Sequence, residues 1–224
     1  MLLACAEHVT LPIRTTLYAP DNHPPYLHFI TSGIASVVTS MENGDGVEVG
    51  LSGREGAPES LYLLGSERGT TECFVQVHAT AYRIDLQRFY DEFFFIEPIR
   101  RHMLRHIQYQ TLLVGQMAAC NRLHDVEERL ARWLLMVSDR LGQSHFRLTQ
   151  EFLAEMIGSR RSTVTLSAGA LKRSGFIDYQ RGEVHILDRA SLEDSACECY
   201  PITRTLLRNL YAATLPSSVG HGAP

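Results

Sequence analysis

Two short helical patterns, separated by a glycine, occupy residues 147–175 and constrain the fold more than any other stretch of the chain. Thr149 is a good helix N-cap, and Glu151 follows in the first turn, where a negative charge is favourable. Gly158 ends the first pattern, because glycine readily adopts the positive φ that a sharp turn needs. The second pattern stops at 174–175, so the sequence predicts two helices that cross at a tight turn.

The second of these helices has one apolar face and one polar face. Val164, Ala168 and Leu171 fall at helical spacing and are expected to point inward. The opposite face begins with arginines and hydroxyls, and arginine can bind guanine with two hydrogen bonds while Ser and Thr bind phosphates or bases. This is the layout of a helix-turn-helix whose second helix enters the DNA major groove. The predicted DNA contacts are Thr149, Arg160, Arg161, Ser162, Thr163, Thr165 and Leu166.

A strand, tight turn and second strand are predicted directly after this helix, over residues 176–187. A hairpin in this position is a wing, and Arg181 at its tip is placed to touch phosphate. The wing favours the DNA-binding interpretation over an ordinary helical hairpin.

The charge of the chain is unevenly distributed. Residues 1–96 hold 5 basic and 12 acidic side chains, whereas residues 97–224 hold 16 and 13. An acidic N-terminal part and a mildly basic C-terminal part suit a sensor coupled to a DNA-binding module. Five cysteines without a regular framework fit a reducing compartment, and no apolar run approaches the ~20 residues of a membrane helix. We therefore expect a cytoplasmic protein without membrane contact.

The first ninety residues are rich in strand-forming segments. The β-rich runs cover residues 26–30, 35–39, 47–51 and 74–85. Gly33 and residues 43–46 are interpreted as turns between them. Short strands at regular spacing predict a compact antiparallel barrel or roll.

Residues 97–120 are predicted to form one long helix, with Pro98 in its first turn. Its apolar residues form two adjacent seams: Ile99, Met103, Leu113 and Met117 in one, and Leu104, Ile107, Val114 and Ala118 in the other. Because so wide an apolar arc needs two partners, we expect one face on the barrel and the other on the same helix of a second subunit. The alternative is a single broad seam within one domain. Further helices are expected at 125–141 and 202–215, before a loose tail at 216–224.

The order of these parts resembles the Crp/Fnr family of bacterial transcription regulators over nearly the whole chain. The motifs that carry the resemblance are 127–135, 148–158 and 161–165, with 49–51 and 53–56 in the barrel. The resemblance implies an α+β fold with five parts: a cyclic-nucleotide-binding-like β-roll (1–96), a dimerisation helix (97–120), a connecting helix (121–141), a winged helix-turn-helix (142–198) and a C-terminal helix and tail (199–224). It also implies a homodimer, formed through the dimerisation helix, on a two-fold symmetric operator in double-stranded DNA. RNA polymerase is a further candidate partner.

The barrel and the recognition helix both depart from the family pattern. Members that bind cyclic nucleotides carry Gly-Glu-Leu and, further on, Arg-Ser or Arg-Thr, but the residues that follow Glu55 and Arg68 here are different. The candidates for an effector pocket are Arg54, Glu55, Arg68 and Thr70, and we predict no cofactor. In the recognition helix, Leu166 replaces the family's second arginine, so a different operator is expected, with Leu166 or Thr165 against a thymine methyl.

A regulator of the same fold that senses a metal, haem or redox signal is one alternative. Cys120 and His124 lie four residues apart on a predicted helical face, a spacing that suits two metal ligands, and Cys197 and Cys199 are further candidates. The sequence alone assigns no metal to these four residues.

A small-barrel metal enzyme of the cupin type is the second alternative. His23 and His28 do not have the His-x-His spacing of that class, and no catalytic motif stands out elsewhere. We therefore predict that the chain is not an enzyme and has no catalytic residues.

Overall fold

A computed structural model describes residues 2–65 and 68–212 of the chain. The N-terminal part is a five-stranded antiparallel roll, preceded by a short 3-10 helix at Leu2–Cys5. Its strands are β1 (Glu7–Leu11), β2 (Thr16–Tyr18), β3 (Tyr26–Ser40), β4 (Gly46–Ser52) and β5 (Thr71–Asp85). The long strand β5 lies between β1 and β3, β4 pairs with the other edge of β3, and β2 also pairs with β5. A second 3-10 helix, Pro58–Leu64, connects β4 towards β5. The predicted antiparallel roll is thus confirmed.

The prediction of a turn at Gly33 is wrong. Strand β3 runs unbroken through this residue, which has a φ of 81° inside the strand. The β3–β5 register shifts around it, between Ile30 and Ala35, as a bulge requires. A Cβ at Gly33 would lie 2.4 Å from the carbonyl oxygen of His78. The glycine therefore serves a close backbone approach, and the two predicted strands are one.

Three helices follow the roll. They are α1 (Leu86–Phe93), α2 (Glu97–Leu123) and α3 (Val126–Leu141). Helix α2 has Pro98 in its first turn as predicted, but it continues three residues beyond Cys120. Asp125 and Glu128 form a capping box at the start of α3, which fixes the break between the two long helices at His124–Asp125.

The two predicted seams of α2 differ sharply in exposure. Met103, Leu113 and Met117 of the first seam are buried against the protein's own core. Leu104, Val114 and Ala118 of the second seam are exposed. The prediction that Ile107 belongs to the second seam is wrong, because this residue is buried while the other three are exposed. An apolar outer stripe therefore remains on α2, with one residue fewer than expected.

The C-terminal part is a winged helix-turn-helix. It contains β6 (His145–Arg147), α4 (Gln150–Ile157), α5 (Arg161–Arg173), β7 (Ile177–Gln180), β8 (Glu183–Ile186), α6 (Arg189–Asp194) and α7 (Cys199–Tyr211). The wing has three strands, because β6 pairs with β8 on the side opposite β7. The last helix begins three residues earlier than expected and takes Pro201 into its first turns, a position where proline is tolerated. The expected end at Leu215 and the tail at 216–224 lie outside the described residues.

One continuous core joins the roll to the winged helix-turn-helix. Side chains of β3 and β5, such as Ile34 and Phe74, share a buried cluster with α3, α4, α5 and the wing. Trp133 of α3 is almost completely buried within this cluster. A second cluster fills the roll itself and includes Phe89 of α1. No helix in the described part of the chain combines the length and apolarity of a bilayer-spanning segment.

Candidate nucleic-acid interface

Helix α4 is built by the local signals that its sequence carries. The hydroxyl of Thr149 accepts a hydrogen bond from the backbone N–H of Phe152 at 3.2 Å, and Glu151 lies in the first turn. Gly158 ends the helix in the left-handed conformation, with a φ of 61°. These contacts fix the angle at which the chain enters the next helix.

Helix α5 turns its apolar residues inward, as predicted. Val164, Ala168 and Leu171 are buried, and Ser167 joins them. The outward face at its N-terminal end is formed by Arg160, Arg161, Ser162, Thr165 and Leu166, all of them exposed. Leu166 keeps 71 % of its surface exposed, which is unusual for so large an apolar side chain without a partner.

The exposed face of α5 carries no negative charge. The helix contains no acidic residue in its first turn and ends in Lys172 and Arg173. Lys172 is paired with Asp178 of β7 at 2.7 Å, and the hydrogen bond that it donates lowers the pKa of that carboxyl. Positive charge on the helix therefore lies at its N-terminal end, with Arg160 and Arg161, and at its C-terminal end, with Arg173.

The remaining predicted contacts are more constrained. Thr163 is only half-buried, and the hydroxyl of Thr165 donates to the carbonyl of Arg161 at 2.8 Å. Arg181 lies exposed at the tip of the wing with a φ of 51°. The wing is held to the loop before α4, because the backbone N–H of Leu148 donates to the carbonyl of Gly182 at 2.7 Å. Arg181 and the start of α5 thus project from one connected unit.

The roll packs directly against this helix-turn-helix. A Cβ on Gly158 would lie 2.7 Å from Cγ2 of Val47 in β4. Arg14 forms an ion pair with Glu155 of α4 at 3.3 Å and lies over the ring of Phe152. A cleft of about 1010 Å³ separates the β3–β4 hairpin from the beginning of α5, and Arg160 and Thr163 line it. These contacts tie α4 to the roll, and α5 follows α4 after the turn at Gly158.

The proposed effector residues differ in burial and in their contacts. The buried carboxylate of Glu55 accepts hydrogen bonds from Nε of Arg140 at 2.8 Å and from the backbone N–H of Gly53 at 3.0 Å. Arg54, Arg68 and Thr70 are exposed. Glu55 thus anchors α3 to the roll, an interaction that joins residues 85 positions apart and leaves no local signal in the sequence.

The segment around Glu55 is also packed tightly against α2. A Cβ on Gly56 would lie 2.5 Å from the ring of His106, and Nε2 of His106 lies 3.2 Å from the carbonyl oxygen of Ala57. The hydroxyl of Ser60 donates to Gln110 at 2.7 Å. Burial lowers the pKa of His106 to about 4, so its ring is neutral at physiological pH. Side chains of α2 therefore occupy the space beside this segment.

The two histidines considered for a cupin-like metal site make contacts with other side chains. Nδ1 of His28 lies 2.7 Å from the buried carboxylate of Glu59, and the ring of His23 lies against Tyr62. Within residues 2–65 and 68–212, three or more possible metal ligands come together in two places, and neither place includes His23 or His28.

The four residues that the sequence offered as possible metal ligands do come together in the fold. Cys120 and His124, at the end of α2, meet Cys197 and Cys199, at the start of α7. Two short spacings, Cys-x₃-His and Cys-x-Cys, are the available signal, but 72 residues lie between the two pairs.

The comparisons with known proteins agree with this architecture. Residues 128–195 match the Crp-like helix-turn-helix domain. No curated protein sequence is similar enough to the chain to count as a match. Among solved structures, FixK2 of Bradyrhizobium japonicum is 12 % identical, with a TM-score of 0.72, over 86 % of this chain and 98 % of that one.

Two transcriptional regulators of Thermus thermophilus are also similar. One, of the CRP family, is 18 % identical with a TM-score of 0.71, over 84 % of this chain and 96 % of that one. The other, of the CRP/FNR family, is 20 % identical with a TM-score of 0.67, over 85 % and 98 %. The resemblance inferred from the sequence is confirmed: residues 128–195 belong to the Crp-like helix-turn-helix domain family, carried on the fold of Crp/Fnr-type transcriptional regulators.

Proposed function

We propose that the chain is a sequence-specific DNA-binding transcription regulator, not an enzyme, and that it acts as a homodimer on a palindromic operator. The observation that carries this proposal is the outward face of α5, where Arg160, Arg161 and Ser162 stand exposed at the N-terminal end of the second helix of a helix-turn-helix. In such units this end of the helix meets base edges in the major groove.

Each exposed side chain has a role that its chemistry suits. Arg161 reads a guanine through two hydrogen bonds, and Leu166 or Thr165 packs on a thymine methyl. Arg160 and Arg181 bind phosphates on either side, where they add affinity without sequence preference. Ser162, Thr163 and Thr149 donate hydroxyl hydrogen bonds to the DNA backbone or to bases.

The dimer is supported by the exposed stripe on α2. Leu104 and Ala118 of this stripe lie in line with two further exposed residues, Thr111 and Gly115, and the four are spaced seven, four and three residues apart. This spacing is that of a coiled-coil seam, and its small residues allow two helices to approach closely. The same helix of a second chain fits this stripe.

Regulation follows from the contact between roll and helix-turn-helix. We propose that a shift of the roll or of α2 changes the separation and tilt of the two recognition helices, and that only one arrangement fits successive major grooves. The effector pocket and RNA polymerase as a partner stay predictions.

Selection from a random duplex library at one fixed salt concentration tests the proposal. We expect a two-fold symmetric motif whose half-sites lie about 10 base pairs apart, or a multiple of that, centre to centre. Light scattering after size exclusion should give twice the chain mass of 25.2 kDa. A monomer, or equal binding to the selected palindrome and to its scrambled version at physiological salt, would contradict the proposal.

A further inference from the structure

Four metal-ligating side chains converge where the C-terminal end of α2 meets the beginning of α7. The Sγ atoms of Cys120 and Cys197 are 3.5 Å apart, and Sγ of Cys199 is 3.6 Å from Nδ1 of His124. All four ligand atoms lie within 4.8 Å of one another. The three cysteines are buried and the histidine is partly buried.

The fold brings these residues together from two directions. Cys120 and His124 are one helical turn apart, with His124 as the residue that ends α2. Cys197 and Cys199 flank Glu198, at the point where the chain turns into α7. The cluster joins segments about 75 residues apart in sequence, so its convergence is a property of the tertiary fold.

The spacing of the ligand atoms matches a single tetrahedral ion. With Zn–S bonds of about 2.3 Å and a Zn–N bond of about 2.05 Å, two sulfurs at the tetrahedral angle lie about 3.7 Å apart and a sulfur and a nitrogen about 3.6 Å apart. The sulfur–sulfur distance of 3.5 Å and the sulfur–nitrogen distance of 3.6 Å here are close to these values. A disulfide would bring two sulfurs to about 2.05 Å. Iron–sulfur clusters hold their ligands around several iron atoms and commonly use four cysteines. Three cysteines and one histidine are instead a common ligand set of structural zinc sites.

The surroundings also fit a metal-bound histidine and thiolate. Nε2 of His124 lies 3.0 Å from the carboxylate of Glu198, which leaves Nδ1 facing the sulfurs. Metal-bound histidines commonly donate their other ring N–H to a carboxylate in this way. The side-chain amide of Gln116 donates to Sγ of Cys199 at 3.1 Å.

The charge of an occupied site would also be compensated. Three thiolates and one Zn²⁺ leave a net charge of −1. Arg129 and Arg132 of α3 are buried and interact electrostatically with Cys120. Buried charges are tolerated when they are paired in this manner.

We propose that Cys120, His124, Cys197 and Cys199 bind one Zn²⁺ ion per chain, and that this ion fastens α7 to the end of α2. The ligand His124 ends α2, immediately before the Asp125 cap of α3. The site therefore holds the junction through which the dimerisation helix leads into the helix-turn-helix. This proposal does not depend on the DNA-binding function.

Metal analysis of the full-length protein, purified under reducing conditions, is the first test. We expect close to one zinc per chain by mass spectrometry of the metal. After removal of zinc, titration with Co²⁺ should give the intense visible bands of tetrahedral cobalt and a thiolate-to-cobalt charge-transfer band. Wild-type protein that holds almost no zinc and gives no such bands when reduced would overturn the proposal.

Variants separate the site from the other thiols. Cys199→Ser should lose the charge-transfer band or weaken it with at least a 100-fold fall in affinity, whereas Cys73→Ala, a buried cysteine of the roll, should keep it. Circular dichroism checks that each variant folds. Bands that persist unchanged in folded Cys199→Ser would refute the ligand assignment.

Glu198→Gln gives a test that does not remove a ligand. Glu198 is exposed, so its replacement leaves the core intact, but it removes the carboxylate that holds the His124 ring. We expect zinc affinity to fall about 10- to 100-fold, as competition with a chromophoric chelator measures. Unchanged affinity would contradict the role of the Glu198 carboxylate in orienting His124 as a ligand.

Discussion

The indole Nε1 of Trp133 donates a hydrogen bond of 2.8 Å to Oε1 of Glu48, and both side chains are buried. This bond joins α3, which leads into the winged helix-turn-helix, to strand β4 of the roll. Burial raises the pKa of Glu48 to about 7 from its ordinary value of 4.5, despite the hydrogen bonds that favour the carboxylate. The carboxyl is therefore half-protonated near neutral pH.

Stability should decrease as the pH rises through this range. Between pH 4.5 and 7 the unfolded chain releases the Glu48 proton and the folded chain retains it, so Glu48 costs increasing stability, up to ~3 kcal/mol above pH 7. Glu48→Gln keeps an oxygen for Trp133 and does not ionise. Urea unfolding at pH 5 and pH 8 should show little effect of the variant at pH 5 and a gain of about 2–3 kcal/mol at pH 8. Equal effects at both pH values would show that Glu48 titrates normally.

Arg161→Ala should weaken binding to the selected operator by about 1–3 kcal/mol and relax base preference at one position of each half-site. Competition binding against operators substituted base by base measures both effects. Arg88→Ala, which removes an exposed arginine from α1, is the charge-matched control and should change neither. An unchanged base preference in Arg161→Ala would assign that base reading to another side chain.

Arg181→Ala should weaken binding to all sequences alike, because the wing tip is expected to bind phosphate only. The slope of log K against log salt should become shallower by about one for each phosphate that Arg181 no longer neutralises. Fluorescence anisotropy at four or more salt concentrations, with operator and scrambled duplexes, gives both quantities. Weaker binding to the operator alone would indicate that Arg181 reads a base.

Gly115 lies within the exposed α2 stripe, and a Cβ there would meet no atom of the described residues within 4 Å, apart from its own turn of helix. In the single chain, Gly115→Ala should therefore stabilise α2 by up to about 1 kcal/mol, since glycine is unfavourable inside a helix. Gly115→Trp starts from the same open position, and its bulk should separate the dimer. Sedimentation at matched concentrations compares the two variants. A Trp variant that remains as dimeric as the Ala variant would place the dimer interface elsewhere.

Gly56→Ala should destabilise the fold by about 1–3 kcal/mol, because its methyl group would overlap the ring of His106 in a packed interior. Gly50→Ala is the matched control, since its Cβ would make an ordinary contact of 3.8 Å with Val37. Its effect should stay within about 0.5 kcal/mol. Thermal unfolding of the two variants side by side measures the difference.

The recognition unit can be predicted from the sequence because its signals are local. Thr149 and Gly158 mark the two ends of one helix, and each acts within its own turn of chain. Gly33 shows the opposite case: the reason for the glycine is the backbone of His78, 45 residues away, so the sequence pattern of a strand bulge is indistinguishable from that of a turn. The short strands β1 and β2 escape prediction because each is completed only by pairing with β5.

The candidate sites divide in the same way. Exposure of Arg161 follows from helical periodicity, which a sequence displays directly. The role of Glu55 cannot be derived from periodicity, because its partner Arg140 comes from a helix that reaches the roll only in the folded chain. Cys120 and His124 can be recognised as a pair of possible ligands, but their relation to Cys197 depends on the packing of α2 against α7.

The buried guanidinium of Arg129 donates to the carbonyl of Asn121, near the end of α2, at 2.7 Å and to the carbonyl of Ile157, at the end of α4, at 2.8 Å. A rotation of α4, which leads into the recognition helix, relative to the end of α2 would therefore take one of its two acceptors away from this buried cation. The easiest motion of such a molecule is one in which these three helix segments travel as a single block and the strain falls on their contacts with the roll, at Val47, Arg14 and Glu48.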